Sequence, residues 1–217
     1  MHRAVLVSYD TREYDFAGSI ASTVFHVDSL PLLHLAAQRR KRRPLNATDS
    51  LGYRRVLTLL PDDAPFYSLY TRFVWEVVAP LFHGHISYTL HPTFRVQFPR
   101  TGTISRWHRD ADVTGRVEQI NVWAPFVDCA GTNTIWVESH YDRQDYRPYD
   151  VRYGELLLFD GGFLAHGSVN NETETTRVSL DLRLHPLRPT RLGSWILGAR
   201  PADLRPPAAA CGTMQMM

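Results

Sequence analysis

The chain has 217 residues, of which 44% are hydrophobic and 21% charged, and a formal net charge of +2. That length and apolar fraction suit one generous domain with a buried core. So small a net charge does not point to a nucleic-acid or membrane partner.

Two cysteines, Cys129 and Cys211, make no disulfide framework. No apolar run nears the roughly 20 residues of a membrane span, and the opening MHRAVLVSYD lacks the texture of a signal peptide. The expectation is a cytoplasmic protein with no nucleic-acid or membrane partner, as a monomer or homodimer. Lys41 is the only lysine, which leaves little scope for Schiff-base chemistry. Neither a phosphate-binding loop nor a dinucleotide fingerprint is present.

In chain order, DSLPLLHLAA (28–37) predicts a short helix capped near Asp28 or Ser29, with Pro31 in its first turn. The charge run QRRKRRP (38–44) reads as a solvated helix end, with anion binding as the alternative. Residues 43–63 are expected to be loop. APFYSLYTRFVWEVVAPLF (64–82) repeats Phe66, Leu69, Tyr70, Phe73, Val74, Val77 and Leu81 at helical spacing, after a possible cap at Asp62 or Asp63. From residue 85 the texture is β. HISYTL, TFRVQFP, EQINVWAPF, NTIWVES, GELLLFD, HGSVN and TRVSLDLRL are short, rich in β-branched and aromatic residues, and punctuated by Gly, Pro, Asn or Asp. Such a series suggests a sandwich or barrel. Residues 112–118 and 140–150 read as pocket loops, and 204–217 as a flexible tail.

Three of these strands alternate polar and apolar residues. Arg177, Ser179, Asp181 and Arg183 oppose Val178, Leu180, Leu182 and Leu184; Gln119, Asn121 and Trp123 oppose Ile120 and Val122; Arg95 and Gln97 oppose Phe94, Val96 and Phe98. Either the polar faces meet water, or they line a barrel cavity while helices cover the apolar faces. The helix at 64–82 supplies such a cover.

Chemistry enters at WHRD. His108 and Asp110 stand two apart at a strand end, so both can reach one ion. A non-haem iron that activates oxygen needs a second imidazole on the same face. The best candidate is His166, between a Gly-Gly turn and Gly167. Arg177 and Ser179 follow it on one face, and a guanidinium beside a hydroxyl is a receptor for a carboxylate. Iron next to such a receptor is what 2-oxoglutarate requires, with its keto-acid end on the metal and its far carboxylate on the arginine.

WHRD, INVWAPF, GTNTIWVES and YGELLLFDGGFLAHGSVNNETETTRVSLDLR, spanning about 94–184, resemble the Fe(II)/2-oxoglutarate-dependent oxygenases. The likeness is strongest to the bacterial streptomycin-biosynthesis hydroxylase-like branch and extends more remotely to phytanoyl-CoA hydroxylases. The resemblance implies a mainly β fold, a double-stranded β-helix (jelly-roll or cupin-like barrel) with N-terminal helices on its outer face. It implies one oxygenase domain over 1–203 with its core at about 85–185. His108, Asp110 and His166 would ligate Fe(II); Arg177, assisted by Ser179, would take the distal carboxylate of 2-oxoglutarate. The implied reaction uses O2 to hydroxylate or otherwise oxidise a small polar metabolite in specialised natural-product biosynthesis, releasing succinate and CO2. A carboxylate at 110 leaves no place for the chloride that halogenating relatives bind.

Other positions stay open between two roles. Gln97 and Asn121 donate either to 2-oxoglutarate or substrate, or to neighbouring strands. Arg95 pairs either with an anionic ligand or within the protein. Trp123 walls the pocket or packs in the core. Asp112 and Glu138 meet a cationic substrate group or water. His140, after WVES, is the spare histidine nearest the expected site. A cupin-like metal enzyme independent of 2-oxoglutarate and a protein hydroxylase are the competing readings.

Overall fold

In a computed structural model the described residues are 4–103, 105–117 and 119–197. The expected tail at 204–217 lies outside them. Strand β1 (Ala4–Ser8) precedes four helices: α1 (Phe16–Ile20), α2 (Leu33–Lys41), α3 (Ala47–Thr58) and α4 (Pro65–Phe73). Then come β2 (Ile86–Tyr88), β3 (Thr93–Gln97), α5 (Asp110–Thr114), β4 (Ile120–Pro125), β5 (Trp136–Val137), β6 (Arg147–Pro148), β7 (Glu155–Phe159), β8 (His166–Gly167), β9 (Arg177–Pro186) and α6 (Arg191–Leu197).

The strands form two antiparallel sheets. The larger runs β1-β7-β4-β9-β2, with β3 also paired to β9; the smaller runs β6-β5-β8. In the larger sheet Arg177 faces Gln97, Arg95 faces Ser179, Trp123 faces Asp181 and Asn121 faces Arg183. Val178, Leu180, Leu182 and Leu184 on the opposite face of β9 are almost wholly buried. Helical aromatics meet the sheet: Phe66 lies 5.0 Å from Phe94, and Phe16 stacks on Phe126 at 5.4 Å, just past β4. All six residues of β4 are buried, so both faces of the sheet are covered. The reading in which the polar faces simply meet water is therefore set aside.

Several boundaries depart from expectation for local reasons. The helix predicted at 28–37 starts at Leu33, with Leu32 as its cap and no capping side chain. Pro31 sits in the preceding turn, where its carbonyl accepts from the Thr176 amide, and Thr176 Oγ1 receives the free amide of His34. Asp62 and Asp63 do not cap α4; Ala64 does, with Pro65 in the first turn as expected. Helical backbone continues to Phe82 as a wide turn and then a tight one.

The stretch 43–63 is not loop. Asn46 and Asp49 form a reciprocal capping box for α3, and Arg43 grips Asp49 at 2.8 and 2.9 Å. The charge run thus belongs to the ends of two helices. Residues 110–114, at the start of the expected pocket loop, are helical. Strand β1, which local pattern did not reveal, pairs with β7.

Phe66 joins α4 to both Phe94 and Phe126 and is 2% exposed. Truncation to alanine should cost about 3–5 kcal/mol of unfolding free energy, measured by urea denaturation. A loss below about 1 kcal/mol would mean that the helices contribute little to holding the sheet.

Candidate metal centre

The two histidines are cross-strand neighbours. The His108 amide donates to the His166 carbonyl at 3.1 Å, and the His166 amide returns the bond at 2.9 Å. His108 thereby adds itself to the edge of the smaller sheet beside β8. Each ring is oriented by its Nδ1, which lies 2.8 Å from the Arg106 carbonyl for His108 and 2.9 Å from the Leu164 carbonyl for His166. A carbonyl only accepts, so a neutral ring carries its proton on Nδ1 and leaves Nε2 free as a metal ligand. Both Nε2 atoms face Asp110 Oδ1, at 3.5 and 3.9 Å. One ligand atom from each of His108, Asp110 and His166 lies within 4.8 Å of the other two. Two imidazoles and one carboxylate so placed can hold iron.

Glycines set the close approaches. A Cβ on Gly167 would lie 2.9 Å from the Trp107 ring and 3.2 Å from the Arg106 carbonyl group. The Gly161-Gly162 turn accepts the amides of Asp110 and Ala111 at 2.9 and 3.2 Å, which fixes the start of α5. A Cβ on Gly161 would fall 2.3 Å from the Asn121 amide.

Asp110 is 1% exposed. Its Oδ2 accepts from Gln119 Nε2 at 2.6 Å, Asn121 Nδ2 at 2.8 Å and Arg183 Nε at 3.1 Å. Burial alone would raise its pKa, but the hydrogen bond from His108 and the charges of His166 and Arg183 outweigh it and hold the carboxyl below its ordinary range. Burial pushes His166 down, toward the neutral ring a metal needs, whereas its hydrogen bond to Asp110 pulls His108 up.

A narrow pocket is lined by His108, His166, Asn121, Trp123, Arg177, Asp181 and Arg183 together with Arg95. Arg177, Asp181 and Arg183 on the polar face of β9 thus line a pocket. Arg177 is 2% exposed; its Nη1 donates to the Thr134 carbonyl at 2.7 Å. Its Nε has no hydrogen-bond partner among the described residues, nor does the buried Ser179 Oγ. Desolvation pushes Arg177 down to about 10, so it stays charged at neutral pH. A buried cation and hydroxyl with unpaired atoms suit an incoming carboxylate, which is the fit that 2-oxoglutarate demands.

The remaining candidates divide. Arg95 pairs with Asp181 at 3.4 Å inside the pocket. Trp123 is 1% exposed and also lines it, so its two roles coincide. Asn121 lines the pocket with its amide on Asp110. Gln97 is outside the lining: its amide donates to the carbonyls of Gly102 and Val169, a role between neighbouring segments. Asp112 is exposed on α5, away from the lining.

Glu138 corrects the expectation of a solvated or substrate-facing carboxylate. It is 1% exposed and accepts from the amides of Ala165, Asp142 and Gln144, at 3.0, 3.3 and 3.2 Å, bracing the approach to His166. His140 bonds Ser139 and lies outside the pocket. Gln119 and Asp181, both visible on the polar faces, were not singled out: Gln119 donates to Asp110, nine residues earlier at the start of α5, and Asp181 lines the pocket and pairs with Arg95 of β3.

Asn121 steadies Asp110 only while Gly161 has no side chain. Gly161→Ala should push that amide away and weaken Co(II) binding on the order of ten- to a hundredfold, by calorimetry, with an unchanged circular-dichroism spectrum. Unaltered affinity would show that Asn121 does not matter to Asp110.

No described protein family's sequence profile matches the chain. It is 40% identical over 95 residues to the streptomycin biosynthesis protein StrG of Streptomyces griseus, a match covering 44% of each chain. The match thus spans less than half the length of that curated relative. The iron-bound structure of EctD from S. alaskensis superposes with a TM-score of 0.55 at 13% identity, over 85% of this chain and 73% of that one. The non-heme alpha ketoglutarate dependent carbocyclase SnoK from nogalamycin biosynthesis superposes with a TM-score of 0.50 at 11% identity, over 85% and 80%. In fold, then, the chain is a neighbour of the non-haem iron oxygenases, and in part of its sequence it is similar to a streptomycin-biosynthesis protein.

Proposed function

We propose that the protein is an Fe(II)/2-oxoglutarate-dependent oxygenase that hydroxylates or otherwise oxidises a small polar metabolite in natural-product biosynthesis. The observation that carries this reading is the His108, Asp110 and His166 cluster together with the buried, unpartnered atoms of Arg177 and Ser179, with His108, His166 and Arg177 lining the same pocket. In this reading the two sheets are a double-stranded β-helix with the N-terminal helices on its outer face, and the described residues form one oxygenase domain.

When bound, iron with 2-oxoglutarate supplies the oxidation of an unactivated C–H bond by O2, with release of succinate and CO2. The chain's residues bind and orient. His108 and His166 offer Nε2, and Asp110 offers Oδ1. Arg177 and Ser179 take the distal carboxylate. Trp123 walls the pocket and helps to exclude water, while the Arg95–Asp181 pair gives a polar substrate both a donor fork and an acceptor. The Asp110 carboxylate fills the position a halide would need, so the product carries oxygen and not chlorine. A metal enzyme that does not use 2-oxoglutarate would leave Arg177 Nε and Ser179 Oγ unsatisfied, at about 1–3 kcal/mol for each buried group.

Anaerobic protein loaded with Fe(II) and 2-oxoglutarate and then exposed to O2 should form succinate, faster with a polar metabolite than with an apolar one. His108→Ala and His166→Ala should abolish it. Absence of succinate from the wild type with every substrate, together with failure to bind 2-oxoglutarate, would overturn the proposal.

Arg177→Gln should weaken 2-oxoglutarate binding by about 30- to 5,000-fold, since losing a buried charged partner costs about 2–5 kcal/mol. Calorimetry should find Fe(II) affinity nearly unchanged. Equal 2-oxoglutarate affinity in the variant would move the carboxylate receptor elsewhere.

A further inference from the structure

The donors on Asp110 are not equivalent. Gln119 and Asn121 both reach Oδ2, at 2.6 and 2.8 Å. Arg183 shares that oxygen through Nε at 3.1 Å, and its Nη2 lies 3.2 Å from Oδ1. Oδ1 is the oxygen that both imidazoles face. Arg183 also stands directly across the sheet from Asn121, so β4 and β9 bring the neutral and the charged donor to one carboxylate. The Arg183 side chain is 28% exposed and that of Asp110 1%, which leaves the pair little solvent screening.

Two amides suffice to fix the plane of the carboxylate. What the guanidinium adds is a full positive charge, and a bond to the one oxygen left for a metal. We propose, resting on the metal site read above, that Arg183 is a positioning residue acting through Asp110: its charge, with Nη2 on Oδ1, weakens the hold of that oxygen on a divalent ion. A cation within about 4–6 Å lowers the proton affinity of a carboxylate by about ten- to a thousandfold, and the same field opposes a metal ion at the same atom. Oδ2 is already occupied by Gln119, Asn121 and Arg183 Nε, which leaves Oδ1 as the oxygen a metal would use.

The direction of the effect separates this from a structural role. An arginine that only braced Asp110 would, when removed, loosen the metal. An arginine that opposes the metal by charge would, when removed, tighten it. The test is Co(II) titration of the metal-free protein, followed by calorimetry and by the visible absorption of bound Co(II). Arg183→Gln and Arg183→Met should each bind Co(II) at least about tenfold tighter than the wild type. Their absorption should shift as Oδ1, freed of the guanidinium, becomes the stronger donor. Arg183→Lys, which keeps the charge, should stay within about threefold.

Wild-type-like or weaker binding by whichever neutral variant folds would overturn the proposal. So would failure of both neutral variants to fold while Arg183→Lys folds, since Arg183 would then be a structural residue. No Co(II) binding by the wild type itself would overturn the metal site along with it, whereas a binding wild type with unaltered neutral variants overturns the role of Arg183 alone.

Discussion

A buried carboxylate lies at the seam of the two sheets, and the rest of the site is arranged to tolerate it. Asp110 has almost no contact with water, and an uncompensated charge in that place would cost several kcal/mol. Compensation comes from both sides. The smaller sheet brings His108 and His166 together through reciprocal backbone bonds. The larger sheet brings Asn121 and Arg183 from adjacent strands, and Gln119 from just before β4. These groups satisfy the carboxylate; in the proposed metal site Oδ1 would serve as the ligand while Oδ2 keeps its partners.

This arrangement makes strand register the quantity on which function depends. Asn121 faces Arg183, Trp123 faces Asp181 and Gln97 faces Arg177. A slip of one residue would turn each of these side chains to the opposite face of the sheet, placing charges under the helices and leucines in the pocket. The apolar face of β9 resists that slip, because Val178, Leu180, Leu182 and Leu184 are buried in the hydrophobic core that also holds the helical aromatics. Packing on one face of the sheet thus fixes the chemistry on the other.

Much of the site was legible in the sequence because it is written in period two. The alternation along 177–184, 119–123 and 94–98 marks a sheet with one polar and one apolar face, and the long aromatic helix at 64–82 explains why the polar face need not meet water. The HxD pair, the Gly-flanked histidine and the Arg-x-Ser step are short patterns whose chemistry can be read before the fold is known. Contacts made across long stretches of chain were not legible. Glu138 looks like a surface carboxylate until its backbone amides are seen. Gln97 shares a face with Arg95, yet its amide turns to the carbonyls of Gly102 and Val169. Thr176 receives the first free amide of a helix far away in the sequence. The helix at 47–58 is different: its Asn-x-x-Asp start was present in the sequence, but in a weaker form of the capping signal.

The proposed chemistry requires a metal at the His108, Asp110 and His166 cluster. Crystals grown anaerobically with Fe(II) and measured at the iron absorption edge should give one anomalous peak per chain, touching His108 Nε2, Asp110 Oδ1 and His166 Nε2, with Arg183 still on Oδ2. A peak elsewhere, or none at this cluster under saturating Fe(II), would contradict an iron site there.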